Sequence, residues 1–282
     1  MSNDRFIDVE RAIKSKNPRL YRWMPKWLIR YLKKVVHQDE SNVVMEANKG
    51  KNGFEFSTNI IKHLNVKIET FGIENIPKSG GAIVAMNHPL GGMDAIAMIV
   101  EVYPIRNDIK FVVNDILMQL ENLRDLFAPL NKHGSNSKES LQSLLELYAS
   151  DKLVFVFPAG LVSRRRGGKV HDLEWKKTFI TRSRRFEKAI IPVYVEGELT
   201  NFFYRLSNLR TRVGIKANLE MFYLVDELYK QKGKTLRIVF GEPISHTTFD
   251  TTKNDLEWAQ WVKEKSYELK QRLPSKNEQA KP

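Results

Sequence analysis

Apolar residues along this chain repeat in two rhythms. From Val66 onward, short apolar runs alternate with longer stretches whose apolar positions recur every three or four residues. The short runs predict strands near 66–72, 82–87, 109–113, 152–157, 189–195 and 235–240. The longer stretches predict helices over 93–102, 115–124, 136–149, 174–187, 217–231 and 252–272. Such alternation is the signature of an α/β fold, here a mixed sheet covered by helices. The polar residues after Leu273 are expected to be disordered.

Before Val66 the pattern is helical throughout. Phe54, Phe56, Ile60, Ile61 and Leu64 predict a helix over 54–65. Residues 17–36 combine an apolar stripe with basic charge: Trp23, Trp27 and Tyr31 recur at four-residue steps, flanked by Arg22, Lys26 and Arg30, with no acid among them. Pro25 is expected to break this stretch and start a fresh helix at Lys26. A tryptophan-rich stripe beside basic residues suits an amphipathic helix lying in a membrane interface, although such stripes also pack on a protein's own core.

Composition narrows the choices. The 282 residues suffice for one large domain with an appendage. The net charge of +13 points to an anionic partner: nucleic acid, a phospholipid surface or an acidic protein. The absence of cysteine excludes disulfides and thiolate metal sites. No long apolar run follows Met1, so no secretory signal is expected, and no run reaches the ~18 residues of a spanning helix.

The candidate chemistry lies at the end of the predicted strand 82–87. Asn87, His88 and Pro89 are followed by Leu90, Gly91, Gly92, Met93 and Asp94, and then by an apolar helical stretch. On one continuous helix His88 and Asp94 would point roughly 120° apart. A turn is therefore needed to bring them together, and Pro89 with Gly91-Gly92 supplies one. An aspartate on one ring nitrogen fixes the imidazole tautomer and leaves the other nitrogen to take a proton from a hydroxyl. By itself the spacing also fits a helix-capping aspartate beside a polar loop histidine. His171 beside Asp172 reads as structural, because adjacent side chains point apart. The histidines at 37, 63, 133 and 246 have no zinc-ligand spacing, so no metal is expected.

A second block, Phe157-Pro158-Ala159-Gly160-Leu161-Val162-Ser163 followed by Arg164-Arg165-Arg166-Gly167-Gly168, changes the weight of the first. Together the blocks resemble those of the glycerolipid (1-acylglycerol-3-phosphate type) acyltransferases, over roughly residues 66–245. Asn87-His88…Asp94 matches that family's Asn-His plus Asp block, and Phe157-Pro158-Ala159-Gly160 its Phe-Pro-Glu-Gly block. The departures are specific. Five residues separate His88 from Asp94 where four are usual. Ala159 stands for the glutamate and Val162 for an arginine. No arginine matches the middle block, for which Leu130-Asn131-Lys132 is nearest. The variant pattern is most similar to the branch labelled as hemolysins or as acyltransferases of ornithine and glycine lipids.

The resemblance implies a membrane-associated O-acyltransferase. His88 is then the base and Asp94 its orienter. Asn87, Gly91, Gly92, Phe157, Pro158, Gly160, Ser163, Arg164 and Arg166 are the expected substrate-binding residues. Arg164 is the first choice to bind an anionic headgroup, and backbone amides near Gly91-Gly92 or Gly160 are candidates to stabilise an oxyanion. The acyl donor would be acyl carrier protein or coenzyme A, with no bound cofactor. The acceptor would be a lyso-aminolipid of glycine or ornithine type, with lysophosphatidic acid as the alternative. The expected location is the cytoplasmic face of a bacterial inner membrane. Residues 1–65 would be the docking segment, 66–245 the acyltransferase domain and 246–282 a final helix and tail. A nucleic-acid binder remains the distant rival, without a base-reading motif to support it.

Overall fold

The computed structural model describes residues 6–130 and 138–274. Asn131, Lys132, His133 and most of the polar tail lie outside them. The helices are α1 (Val9–Lys16), α2 (Pro18–Trp23), α3 (Lys26–Val35), α4 (Gln38–Ala47), α5 (Gly53–His63), α6 (Gly92–Val102), α7 (Lys138–Ala149), α8 (Thr178–Phe186), α9 (Asn201–Arg212), α10 (Leu224–Tyr229) and α11 (Asp255–Glu268). The strands are β1 (Lys67–Phe71), β2 (Ala82–Met86), β3 (Ile109–Asn114), β4 (Phe127–Leu130), β5 (Leu153–Val156), β6 (Arg164–Arg166), β7 (Lys169–His171), β8 (Ala189–Val195) and β9 (Thr235–Phe240).

The chain forms two compact units. One holds the residues to Lys51 and Leu199–Lys232; the other holds Asn52–Glu198 and the residues from Gly233. Residues 52–65, grouped by sequence with the N-terminal segment, therefore fold with the sheet. Residues 199–232, grouped by sequence with the larger domain, fold with the N-terminal helices. Among the described residues no helix is long and apolar enough to cross a membrane.

The larger unit carries a mixed seven-stranded sheet in the order β1-β9-β8-β2-β5-β3-β4. Strands β8, β2, β5, β3 and β4 run parallel. Strand β9 is antiparallel to β8 and parallel to β1. Every residue of β2 is buried, as a central parallel strand with both faces covered requires. On one face Ile83 and Ala85 meet Trp175, Phe179, Phe249 and Trp258, from α8, α11 and the loops before them. Helices α5 and α6 pack on each other. The chain leaves β2 for β3 on one side and leaves β5 for β8 on the other. In α/β sheets a crevice forms where such paths part, beyond the carboxyl ends of the strands.

All six expected strands are present, and several expected helices are changed. Residues 115–124 form two 3-10 segments, Asp115–Gln119 and Glu121–Leu126, followed by the unexpected strand β4. The reason is visible in the spacing: Leu117, Leu120, Leu123 and Leu126 recur every three residues, the 3-10 period rather than the α period. The stretch 217–231 divides into a 3-10 turn, Leu219–Tyr223, and α10. Helix α9 was not expected; Thr200 caps it by accepting from the Phe203 amide. Helix α11 starts at a capping box of Asn254 and Glu257.

Arg106 secures the opposite end of the sheet from the crevice. Its Nε and Nη2 grip the Asp108 carboxylate at 2.7 and 2.6 Å, Nη1 donates to the carbonyls of Pro77 and Gly80, and Nη2 also donates to Asp151. One buried guanidinium thus ties the segments leading into β2, β3 and β5. Arg106→Ala should lower unfolding free energy by about 3 kcal/mol, because a carboxylate and three carbonyls lose their partner. Arg106→Lys should recover less than half of that, since an ammonium cannot reproduce the fork. Urea denaturation measures both; a loss under about 1 kcal/mol for the alanine variant would remove this role.

Candidate active site

The site is built at the carboxyl ends of β2 and β5, which are neighbours in the sheet. After Met86 the chain turns at Pro89 and Gly91, and α6 begins at Gly92 with Gly91 as its cap. Gly91 has φ 68° and ψ −128°, a conformation that a side chain would strain. This turn puts Asp94 in the first helical turn, where the helix dipole favours a negative charge. Its carboxylate reaches back to accept from the Leu90 amide at 3.0 Å and meets His88 Nδ1 at 2.8 Å. The five-residue separation therefore still closes the pair.

Asp94 is fully buried. Burial pushes its carboxyl above the usual carboxylate range, against the opposing hydrogen bond and charge of His88 and the Leu90 amide; the nearby Asp172 charge adds to the rise. His88 is partly open, with 18% of its side chain accessible. Its ring lies 4.1 Å, centroid to centroid, from Phe157, which leads out of β5. With Nδ1 on Asp94, the imidazole can take a proton at Nε2 from a hydroxyl placed there.

The main chain of His88 is clamped as well. Its carbonyl accepts from the Ser163 amide at 2.8 Å, and its amide donates to the Asp172 carboxylate at 3.2 Å. Asp172 also accepts from the Ser163 hydroxyl at 2.5 Å and from Trp175 Nε1 at 2.8 Å. Sequence reasoning set Asp172 aside with His171 as structural. Its carboxylate in fact joins the histidine turn to the second block. The separation of 84 residues hid this contact.

The remaining expected residues divide by what the fold does with them. Gly91 and Gly92 shape the turn into α6. Phe157 touches His88, while Pro158 and Ser163 are buried beneath the site. Gly160, with φ 68°, closes a turn by donating to the Phe157 carbonyl. Asn87, expected at substrate, is buried with its amide spent on the backbone of Val195: Nδ2 donates at 2.8 Å and Oδ1 accepts at 2.7 Å, extending the β2–β8 pairing by one rung. The Ser163 hydroxyl is likewise committed to Asp172.

The arginine-rich segment is a hairpin, β6–β7. Arg164 pairs with His171 and Arg166 with Lys169. Gly167 and Gly168, at φ 55° and 78°, form the two-residue turn that a tight hairpin needs. Strand alternation turns Arg165 to the face opposite Arg164 and Arg166, and burial falls along the strand toward the turn. Arg164 is buried, with Nη1 on the Val162 carbonyl at 2.6 Å. Arg165 pairs with Glu198 at 2.8 Å, and Arg166 is exposed near the tip. Among the described residues no three metal-capable side chains cluster.

Comparison with known proteins follows from this geometry. The family model described as Acyltransferase matches residues 11–276. A lyso-glycine lipid O-acyltransferase of Phocaeicola vulgatus is 41% identical over 264 residues, 93% of this chain and 95% of that one. A protein of the same name from Bacteroides thetaiotaomicron is 42% identical, over 93% and 97% of the two chains. Among solved structures, the 1-acyl-sn-glycerophosphate (LPA) acyltransferase of Thermotoga maritima shares the fold, with a TM-score of 0.50 and 18% identity over 95% of each chain.

The buried Asp94 has a measurable consequence. The folded chain holds a proton on Asp94 more tightly than the unfolded chain does. The stability this residue contributes is therefore fully present below its unfolded pKa and is lost as pH rises through its folded pKa. Asp94→Asn lacks that loss. As pH rises above 3.8, the ordinary aspartate value, urea midpoints should shift in the variant's favour relative to wild type. A shift in wild type's favour over this range would mean that the partners of Asp94 outweigh its burial.

Proposed function

The chain belongs to the acyltransferase family and is a lipid acyltransferase, and from that premise we propose that it moves a fatty acyl group from a thioester to the hydroxyl of a lyso-glycine lipid. The donor is acyl carrier protein or coenzyme A. The observation that carries the mechanism is the 2.8 Å contact from His88 Nδ1 to the buried Asp94, which leaves Nε2 open. His88 Nε2 takes the acceptor's hydroxyl proton as the oxygen attacks the thioester carbonyl. The new C–O bond gives a tetrahedral oxyanion, the C–S bond breaks, and the leaving sulfur takes the proton from the imidazolium. Asp94 stabilises that imidazolium and keeps its tautomer. No covalent enzyme intermediate is needed. The nearby Ser163 donates its hydroxyl to Asp172 rather than to the imidazole.

The acceptor is argued from charge and from relatives. A phosphate monoester carries two charges and is usually held by several aimed cations. Here Val162 stands where the family places an arginine, and the Arg164 guanidinium folds back onto the Val162 carbonyl. A single carboxylate, such as that of an acylated glycine, needs fewer such cations. The names of the relatives at 41 and 42% identity support the same substrate. Docking is assigned to residues 17–36 at an anionic membrane. Pro25 precedes α3 as expected, and Trp23 and Trp27 both project into solvent.

Two measurements test the reaction. His88→Ala, checked for folding, should lose acyl transfer by at least about a thousandfold, the scale expected for a removed general base. Near-wild-type turnover by that variant would discard the mechanism. Wild type should prefer lyso-glycine lipid to lysophosphatidic acid in a side-by-side assay with one acyl donor. If lysophosphatidic acid is used about tenfold better, equal to about 1.4 kcal/mol of transition-state preference, the acceptor assignment is wrong.

A further inference from the structure

The smaller unit shows a surface that its N-terminal residues alone do not account for. Tyr31 on α3 shares a 2.9 Å hydroxyl–hydroxyl hydrogen bond with Tyr223. Phe202 on α9 meets Tyr223 edge-on at 4.9 Å, and His37 joins Asp226 at 2.9 Å while stacking on Tyr229. These contacts lock residues 199–232 to α3 and α4. The aromatic stripe of α3 is thereby carried onto a segment far away in sequence.

That segment holds large apolar side chains in water. Phe222 is 66% accessible and Leu209 and Val213 each 59%; in the same unit Trp23 is 84% and Trp27 67% accessible. Residues 211–219 are exposed without interruption and include Ile215, between Arg212 and Lys216, and Leu219. On α9, Phe202, Arg205, Leu209 and Arg212 fall at helical spacing on one side, while Phe203, Tyr204 and Ser207 are buried on the other. An apolar row with basic residues set into it is the pattern of an interfacial helix.

Charge points the same way. This unit's residues carry 18 Lys and Arg against 9 Asp and Glu, most of the +13 excess in less than a third of the chain. Several of its acids are turned inward or paired. Glu220 is buried under Arg210, Glu227 is buried against Thr200, and Glu10 is held by Tyr21 and Lys33. Each such pair removes one base along with one acid, so the unit's excess of bases over acids is kept.

We propose that residues 202–222, α9 with the turn that follows it, form a second membrane-docking element that completes one surface with α2 and α3 and inserts its apolar side chains into an anionic phospholipid interface. This rests on the docking reading of residues 17–36 and extends it. An acidic protein would match the arginines and lysines but gives no reason for tryptophan, phenylalanine, leucine and valine to stand in water together. A charged bilayer interface takes both kinds of group.

The test compares two variants of the full chain for binding to vesicles of phosphatidylcholine with and without phosphatidylglycerol. One is Val213→Ser with Ile215→Ser and Phe222→Ala; the other is Trp23→Ala with Trp27→Ala. All substituted positions are exposed, so folding, checked by circular dichroism, should be unaffected. The triple variant should lose at least about tenfold in binding to anionic vesicles while keeping wild-type turnover on detergent-dispersed acceptor. If it binds vesicles like wild type while the tryptophan variant is weakened, this proposal falls and docking through residues 17–36 stands. If only the triple variant is weakened, the second element stands and the earlier assignment falls. If neither is weakened, both fail. Loss of affinity for acyl carrier protein with vesicle binding unchanged would make the surface a protein-docking face and overturn the proposal.

Discussion

Asp94 has to be buried and still able to answer a charge on His88, and much of the larger unit serves that requirement. A carboxylate with no access to water needs donors, and it finds them within its own turn: the imidazole and the Leu90 amide. The first turn of α6 adds a favourable dipole. The turn exists only because Gly91 takes a backbone conformation that other residues avoid. The central strand exists to present it, with all five of its residues enclosed by the sheet and its covering helices. In unfolding terms Asp94 is costly, which is the usual relation between a reactive group and its scaffold.

The second block serves the first by gripping its backbone. Ser163 and Asp172 flank the β6–β7 hairpin, and each makes a hydrogen bond to the main chain of His88. Trp175 donates to Asp172 and is itself packed in the core against Phe179. The His88 turn is thus tied to the hydrophobic core through one carboxylate. The same hairpin holds Arg164, one residue along the chain from the Ser163 amide.

The two units divide the physical work. The sheet unit is nearly balanced in charge for its size, while the helical unit concentrates basic residues and exposed aromatics. The docking proposed above would use that apolar and cationic surface where water meets the bilayer. The exposed tryptophans would be a liability on an ordinary soluble surface.

The sequence by itself determined where six of the strands lie and which turn could bring His88 to Asp94, while the Phe157–Gly160 block stood out through family resemblance. Strands and turn are each encoded locally: apolar runs of strand length, and a proline–glycine turn whose geometry leaves the pair little choice. The four-residue extension at Phe127–Leu130 and the 3-10 segments before it were also local, but their three-residue leucine period was read as an α-helix. The fold decided the rest because it depends on residues far apart in the chain. Asn87 turned out to be a rung of the sheet because β8 brings the Val195 backbone alongside it. Asp172 became a clamp because the hairpin returns it to His88. Arginines adjacent in sequence were sent into a buried bond, an ion pair and open solvent by a hairpin that turns Arg165 to the opposite face and carries Arg166 out to its tip. The aromatic surface of α3 was joined to residues 199–232 through two tyrosine hydroxyls separated by 192 positions. No window along the chain contains that contact, because packing, not periodicity, selects it.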